Sequence, residues 1–510
     1  MKNIIKYFKK RISRLSSAFL FISCLLIFIC LNAESPAAAD SERYDELKSY
    51  IKQKMKAART PSITIGAARD GEIIWEKSFG WADREKQITA SPGTIYSLAS
   101  ISKPMTATAI MILAERGLID LNKPVNTYLG NSKLTAYEGN AEDATVARLL
   151  HHTAGLPTIW SFYFDGAKFK RPPVSVSIEK YGIICSPPGT VYEYSNLGYG
   201  TAECIIEQVS GKSYAEFMKT EVFEPLGMYN TFVPLDKSQY DSIAVRYLEN
   251  KSGSPFYQIM SRGGGGICSS LRDLLRFGMF HLKNRLPGQK AVLSHKTIDF
   301  MQNAVDPKVP DSPYKIGWSA RTMHGYQTLT HGGGMPGVSS ALILIPSKNT
   351  VIAVLSNGTY LDLFKIAGGL LVHTLPEKET ADKPETKKSK TVSYPEFPSE
   401  TFTGRWHGEI LTDEAGIPVQ LDIDDEGSAA LTLTDTGEKC LPLQPFQYRY
   451  GTLSASFDFN IPSKETSVCR HKVNLSLKLR GSRLSGYAAA ESYRVEVYYL
   501  PYYIRLDRRN

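Results

Sequence analysis

Residues 96–117, YSLASISKPMTATAIMILAERG, form an apolar run that feeds a helix, with a serine and a lysine near the helix's head. Ser100 and Lys103 are three residues apart, so on a helix they share one face. The free N–H groups of a helix N-terminus carry partial positive charge, which favours an alkoxide and a neutral amine close by. An alcohol beside such an amine becomes a usable nucleophile. The S-x-x-K pattern is cheap, and Ser49/Lys52, Ser177/Lys180 and Ser312/Lys315 repeat it. Ser49 falls on an amphipathic run with Tyr44, Leu47, Ile51 and Met55 at helical spacing, and Pro313 makes the last pair a loop. What singles out Ser100 is its company further along the chain.

Residues 1–39 have a character of their own. Lys2, Lys6, Lys9, Lys10, Arg11 and Arg14 precede an apolar run from Ala18 to Leu31, and Ala37, Ala38 and Ala39 follow. A basic head, an apolar middle and an A-x-A end predict an export signal cut near Asp40, to give a periplasmic or secreted protein. The run is shorter than the roughly 20 residues that span a bilayer; an uncleaved anchor is the alternative. Six positive charges and one negative lie here, +5 of the formal net +9, which leaves +4 for the remainder. No block of Lys and Arg interleaved with aromatics remains, which argues against nucleic acid. Cys185, Cys204, Cys268, Cys440 and Cys469 are too few for a disulfide framework, though a Cys440–Cys469 bridge is left open. There is no H-E-x-x-H and no paired C-x-x-C, and His151-His152 lacks ligand spacing, so neither a metal nor a cofactor is expected.

In chain order, Ser62–Ala68 and Glu72–Ser78 flank Asp70-Gly71 and predict a β-hairpin. From Asp120 to Tyr199 the pattern is irregular and mostly helical, followed by a helix over Gly200–Val209. Ser269 or Ser270 is placed to cap a later helix. Ala341–Ile345 and Val351–Leu355 predict a second hairpin, and Leu363–Leu375 a closing helix. Hairpin, helical block, hairpin, helix predicts an α+β (mixed α/β) fold: an antiparallel sheet flanked by helices, with an all-helical insertion. Residues 376–395 have linker composition. Residues 396–510 then alternate with period two, at Val419–Ile423, Leu431–Thr434, Leu453–Phe459, 472–480 and Tyr493–Tyr499, which predicts a small lipocalin-like barrel or a sandwich. The expected division is thus leader 1–39, main domain 40–375, linker 376–395 and β domain 396–510. With no catalytic constellation in the β region, the main domain is expected to hold its site alone.

Two more motifs accompany Ser100: Tyr194-Ser195-Asn196, a Y-x-N, and His331-Gly332-Gly333, an H-G-G shortly before a strand. The ordered set S-x-x-K, Y-x-N, H-G-G, with LLHHTAGLP (Leu149–Pro157) between the first two, resembles the serine β-lactamase-related family. That family includes class C β-lactamases, D-alanyl-D-alanine carboxypeptidases, D-amino-acid peptidases and esterases, and shares S-x-x-K with penicillin-binding proteins. The likeness covers about Tyr44–Leu375.

The resemblance implies that Ser100 carries an acyl group while Lys103 and Tyr194 handle its proton. It implies that Asn196 holds Lys103 and a substrate amide, and that His331, Gly332, Gly333 and Gly334 bind substrate. The backbone N–H groups of Ser100 and Gly334 would form an oxyanion hole, each worth about 3 kcal/mol in the transition state. Either a neutral Lys103 is the base, or a charged Lys103 lowers Tyr194 to a phenolate; the residues leave both open. Family β-lactamases usually carry Lys-Thr-Gly where this chain has His331-Gly332-Gly333, and a neutral imidazole is a weaker anchor for a drug carboxylate. The H-G-G form is closer to the esterase and peptidase branches. The resemblance thus implies an exported serine hydrolase acting through an acyl-enzyme on small esters or amides, with D-amino-acid peptides of cell-wall origin as the leading peptide class. Its rivals are a true β-lactamase, and a penicillin-binding sensor or scaffold whose β domain makes homo-oligomers.

Overall fold

The computed structural model describes residues 43–248, 252–359, 361–375, 398–443, 446–449, 451–467, 469–493 and 496–509. The expected leader and linker lie outside the described residues. Two compact units, Met1–Lys54 and Met55–Asn510, make up the chain. In the first, residues 45–54 begin helix α1 (Asp45–Ala58), with Leu47 and Ile51 buried and Ser49 exposed.

The second unit opens on the expected hairpin. Strands β1 (Ser62–Arg69) and β2 (Glu72–Asp83) pair antiparallel across Asp70-Gly71. Both turn residues have positive φ, 51° and 85°, the two-residue turn whose twist matches that of the strands. A short β3 (Ile88–Thr89) pairs with β2. The run at 96–117 becomes a 3-10 turn, Ala99–Ile101, then helix α2 (Ser102–Glu115). Buried continuously from Ser102 to Leu113, α2 threads the core, as a helix apolar on every side must. Its polar side chains are tied accordingly. Ser102 Oγ donates to Ala99 O (2.8 Å), Thr106 Oγ1 donates to Gly263 O (2.7 Å), and Thr108 Oγ1 lies 3.0 Å from His281 Nε2.

Then come β4 (Trp160–Phe164), α3 (Asn196–Ser210), β5 (Tyr257–Ile259) and α4 (Leu271–His281). Ser195 caps α3, and Ser270, not Ser269, caps α4. Strands β6 (Ser319–Met323), β7 (Tyr326–Met335), β8 (Val338–Ile345) and β9 (Thr350–Ser356) precede α5 (Leu363–Thr374). The first sheet is antiparallel with order β6-β7-β8-β9-β1-β2-β3. β8 and β9 are buried along their whole lengths, so both faces of this sheet are covered, and α4 and α5 each pack on β9.

The C-terminal region forms β10 (Gly404–Leu411), β11 (Gly416–Ile423), β12 (Ala429–Leu433), β13 (Glu438–Cys440), β14 (Gln447–Arg449), β15 (Thr452–Phe457), β16 (Lys472–Arg480), β17 (Arg483–Tyr493) and β18 (Val497–Arg509). Their order is β13-β12-β11-β10-β18-β17-β16-β15-β14. A bridge between Pro442, just past β13, and Phe457 of β15 brings one end of the sheet back toward the other and curls it. The alternation at Tyr493–Tyr499 is not one strand: Tyr493 ends β17 and pairs with Val497, which starts β18. A tight hairpin carries period two through both arms, so periodicity alone cannot see the break. Cys440 and Cys469 are free thiols, so the bridge left open by the sequence is not formed.

One strand departs from the sequence reading. β4 lies in the block read as helical, yet it pairs with β18 (Phe162 with Val497, Trp160 with Tyr499) and with β5 on its other side. Its residues, WSFYF, are strong strand formers, a signal that was there to be used. The C-terminal sheet therefore continues into the main domain. Nearby, Tyr503 stacks on Tyr137 (centroids 4.5 Å apart) and donates to Glu138 (2.6 Å), while Ile183 and Cys185 pack against Tyr487 and Tyr503. A chain ending at Leu375 would strip these partners from β4 and from this cluster. At about 1.5–3 kcal/mol per large apolar side chain uncovered, it should melt at least about 5 °C lower than the full chain, read by differential scanning fluorimetry.

Candidate active site

Ser100 sits in the 3-10 turn ahead of α2, not inside the helix, and Lys103 sits in the first turn of α2. Ala99, just before the serine, has φ 48°, a left-handed conformation that a residue with a side chain adopts only when its surroundings impose it. Part of that surround is β7. A Cβ on Gly333 would come within 2.2 Å of Leu98 O and 2.3 Å of Ser340 Oγ, so glycine alone lets the strand approach this closely. Ser340 Oγ donates to Leu98 O (2.7 Å) and fastens the turn to the sheet.

Lys103 is fully buried. Its Nζ donates to Asn196 Oδ1 (2.8 Å) and Gly264 O (2.7 Å), and lies 3.1 Å from Ser100 Oγ. Burial, with no carboxylate among the described residues to oppose it, holds the amine well below the ordinary 10.5. A neutral amine has two N–H bonds and one lone pair. Two carbonyl acceptors take the N–H bonds, which leaves the lone pair for the Ser100 hydroxyl. The Tyr194 ring is partly buried, its centroid 4.7 Å from Lys103 Nζ, and it lines the same cavity as Ser100; loss of water around the phenol raises its pKa. The two shifts therefore favour a neutral amine beside a neutral phenol.

Asn196 donates from Nδ2 to Ile159 O (2.9 Å), which fixes the orientation of its amide. The acceptor at Gly264 belongs to the glycine run Gly263–Gly266. Ser261 Oγ accepts from Gly264 N (2.9 Å) and donates to Asn196 O (3.1 Å), and Glu203 accepts from Gly263 N (2.8 Å). The run is thus a folded bracket that aims one carbonyl at Lys103.

His152 grips Tyr194 from three directions. Its carbonyl accepts from Glu193 N (2.8 Å), its Nδ1 accepts from Ser195 N (3.1 Å), and its ring centroid lies 4.4 Å from that of Tyr194. Because Nδ1 accepts, the ring proton is on Nε2, which is buried among aromatic rings with no hydrogen-bond partner among the described residues. His152 also has positive φ, 60°. Sequence reasoning considered this histidine only as a metal ligand; the LLHHTAGLP segment held the clue.

His331 differs from expectation. It is buried, with Nε2 2.9 Å from Tyr314 Oη and Nδ1 2.8 Å from Gly332 O, and burial pushes its pKa down to about 3. It packs behind the site, as do Gly332 against Phe364 and Gly333 against the Ser100 turn. Gly334 instead lines a cavity of about 1090 Å³ together with Ser100, Tyr194 and Asn196. The rest of that wall is largely apolar, including Ile159, Trp160, Phe162, Phe164, Met260 and Met335 from the main domain and Tyr493 and Val497 from the C-terminal sheet. The site is therefore not built by the main domain alone. Of the rival S-x-x-K pairs, Ser177 is buried in a helix and Lys180 is held by Asp413 and Glu465.

An antiparallel sheet flanked by helices, with a serine–lysine pair at the head of a buried helix, defines the β-lactamase and penicillin-binding class of fold. The family model described as Beta-lactamase matches residues 47–372, and the chain belongs to that family. It is similar to the unguisins hydrolase ungD' of Aspergillus campestris (strain IBT 28561): 26% identical over 364 residues, covering 67% of this chain and 66% of that protein. It is also similar to penicillin-binding protein 4* of Bacillus subtilis (strain 168): 27% identical over 318 residues, covering 58% and 67%. The chain thus spans about two thirds of the length of these relatives. Among solved structures it shares its fold with SurE, solved with D-Leu, at TM-score 0.59 and 18% identity over 92% of this chain and 100% of that one.

Two outcomes follow from this geometry. The acylation rate should rise with pH as Lys103 loses its proton, along a limb well below 10.5, measured with an ester by stopped flow; a limb at the ordinary lysine value would mean the amine is solvated. His152→Ala should lower acylation about a hundredfold by displacing Tyr194. His152→Asn, which keeps an acceptor near the Nδ1 position and tolerates positive φ, should recover most of that loss.

Proposed function

We propose that the chain is an exported serine hydrolase that works through an acyl-enzyme on Ser100. The observation that carries this reading is the buried Lys103, whose two N–H bonds are occupied by Asn196 and Gly264 and whose third direction is the Ser100 hydroxyl. Lys103 takes the proton of Ser100 as Oγ bonds to the acyl carbon. The oxyanion is met by the backbone N–H groups of Ser100 and Gly334. As the bond to the leaving nitrogen or oxygen breaks, the proton reaches that atom through the Tyr194 phenol. Water then attacks the ester, releases the acid and restores Ser100.

The large apolar cavity supports substrates with a bulky apolar acyl part. A relative named for hydrolysing unguisins and a fold neighbour solved with D-Leu are in keeping with D-amino-acid peptides or their esters. β-Lactams are a poorer fit, because the buried, neutral His331 offers no cation to a drug carboxylate. Export rests on residues 1–39, whose basic, apolar and small-residue sections follow in signal order.

Intact-mass spectrometry tests the reading. A fluorophosphonate should add one mass equivalent to the wild-type chain and none to Ser100→Ala, while Ser49→Ala and Ser177→Ala label fully. Labelling of Ser100→Ala would sink the assignment, and an adduct from p-nitrophenyl butyrate that never clears would mark a sensor instead of an enzyme.

A further inference from the structure

A second cavity, of about 310 Å³, adjoins the large one at Tyr194: Thr158 and Tyr194 line both. One side is the segment carrying Glu193 and Tyr194. The other is the C-terminal sheet, with Thr452 of β15, Lys478 of β16 and Tyr487 of β17. Where the large cavity is aromatic and aliphatic, this one is hydroxyls and charges.

Those charges are unevenly matched. Arg480 is fully engaged, 3.6 Å from Glu138, donating to Ser485 Oγ (2.6 Å), Ser186 Oγ (3.3 Å) and Cys185 O (3.3 Å). The Lys478 ammonium has no hydrogen-bond partner among the described residues, although burial draws it partly out of water and Glu193 attracts it only at longer range. Glu193 lines the cavity beside Tyr487, and burial lifts its carboxyl to about 7, so near neutral pH it cancels only part of the lysine's charge. An ammonium that faces a cavity with no bonded protein partner is placed to form a charge-assisted hydrogen bond with a carboxylate that enters.

We propose that this cavity is the leaving-group subsite and holds the free carboxylate of the departing residue, with the Lys478 ammonium as its partner. This rests on the acyl-enzyme reading. The acyl part fills the apolar cavity, the scissile carbonyl meets Ser100, the leaving nitrogen lies beside Tyr194, and its carboxylate reaches Lys478. The C–N bond breaks as the Oγ–C bond forms, and the proton from Ser100 ends on the departing amine. A free amino acid is released. The C-terminal sheet is then a specificity element that selects substrates with a free C-terminus.

The probes are N-acetyl-D-leucyl-D-alanine and its C-terminal amide, assayed on the full chain by mass spectrometry for released alanine or alanine amide. Fluorophosphonate labelling of Ser100 runs in parallel. The wild type should favour the free acid by at least about tenfold in kcat/KM. Lys478→Met should bring that ratio near one, and Lys478→Arg, which keeps the charge, should restore most of it; Lys478→Gln serves if the Met variant does not fold. A wild-type ratio near one, an unchanged ratio in the neutral variants, or no release from either probe, with Ser100 still labelled, overturns the subsite and leaves the hydrolase reading standing. No labelling of wild-type Ser100 overturns both.

Discussion

A lysine side chain taken out of water, with no carboxylate among the described residues to meet it, is the constraint on which the rest of this structure turns. An ammonium in such a place is strongly disfavoured, so the group sheds its proton more readily than any surface lysine. A buried amine still needs acceptors for its N–H bonds, and the fold supplies two neutral ones, an amide oxygen and a peptide carbonyl. A carboxylate in either place would satisfy the hydrogen bonds equally well, but would keep the proton on the lysine. Using only neutral acceptors solves packing and chemistry together. It also requires α2 to run through the core, because no surface helix could bury its first turn so completely.

The elements around that amine are held in conformations they would not choose alone. Ala99 and His152 both have positive φ without being glycine, each at a cost of about 1–3 kcal/mol. Both stand next to a reacting group, one before Ser100 and the other clamped on Tyr194. What imposes them is tertiary. The Leu98 carbonyl accepts from Ser340, and the strand carrying Gly333 leaves no room for the turn to relax. On the other side, two peptide N–H groups flanking Tyr194 converge on one histidine. Positional accuracy at the serine is thus bought with local strain, repaid by the sheet and the aromatic packing behind it.

Much of this was legible in the sequence, for physical reasons. The Asp70-Gly71 turn, the buried strands at Ala341–Ile345 and Val351–Leu355, and the serine caps are local signals, decided within a few residues. The convergence of Ser100, Lys103, Tyr194 and Asn196 was reached through three short motifs in order. What stayed hidden depends on distant partners. Nothing in His331 itself says that a tyrosine will cap its ring and bury it away from the cavity. Gly264 had no side chain to betray its role, since its working atom is a backbone oxygen. His152 was judged on ligand spacing, whereas what it does depends on its left-handed backbone and on accepting through Nδ1.

The largest gap concerns β4. Trp160, Phe162 and Phe164 alternate along it, so they share one face, and all three line the large cavity. The register that points them there is fixed by pairing with β18 on one side and β5 on the other. A slip of one residue would turn the whole aromatic face away from the cavity. The C-terminal sheet therefore does more than cover an edge: by holding β4 in register it sets the shape of the wall of the cavity that Ser100 lines. A β region far along the chain can in this way shape the space in front of Ser100.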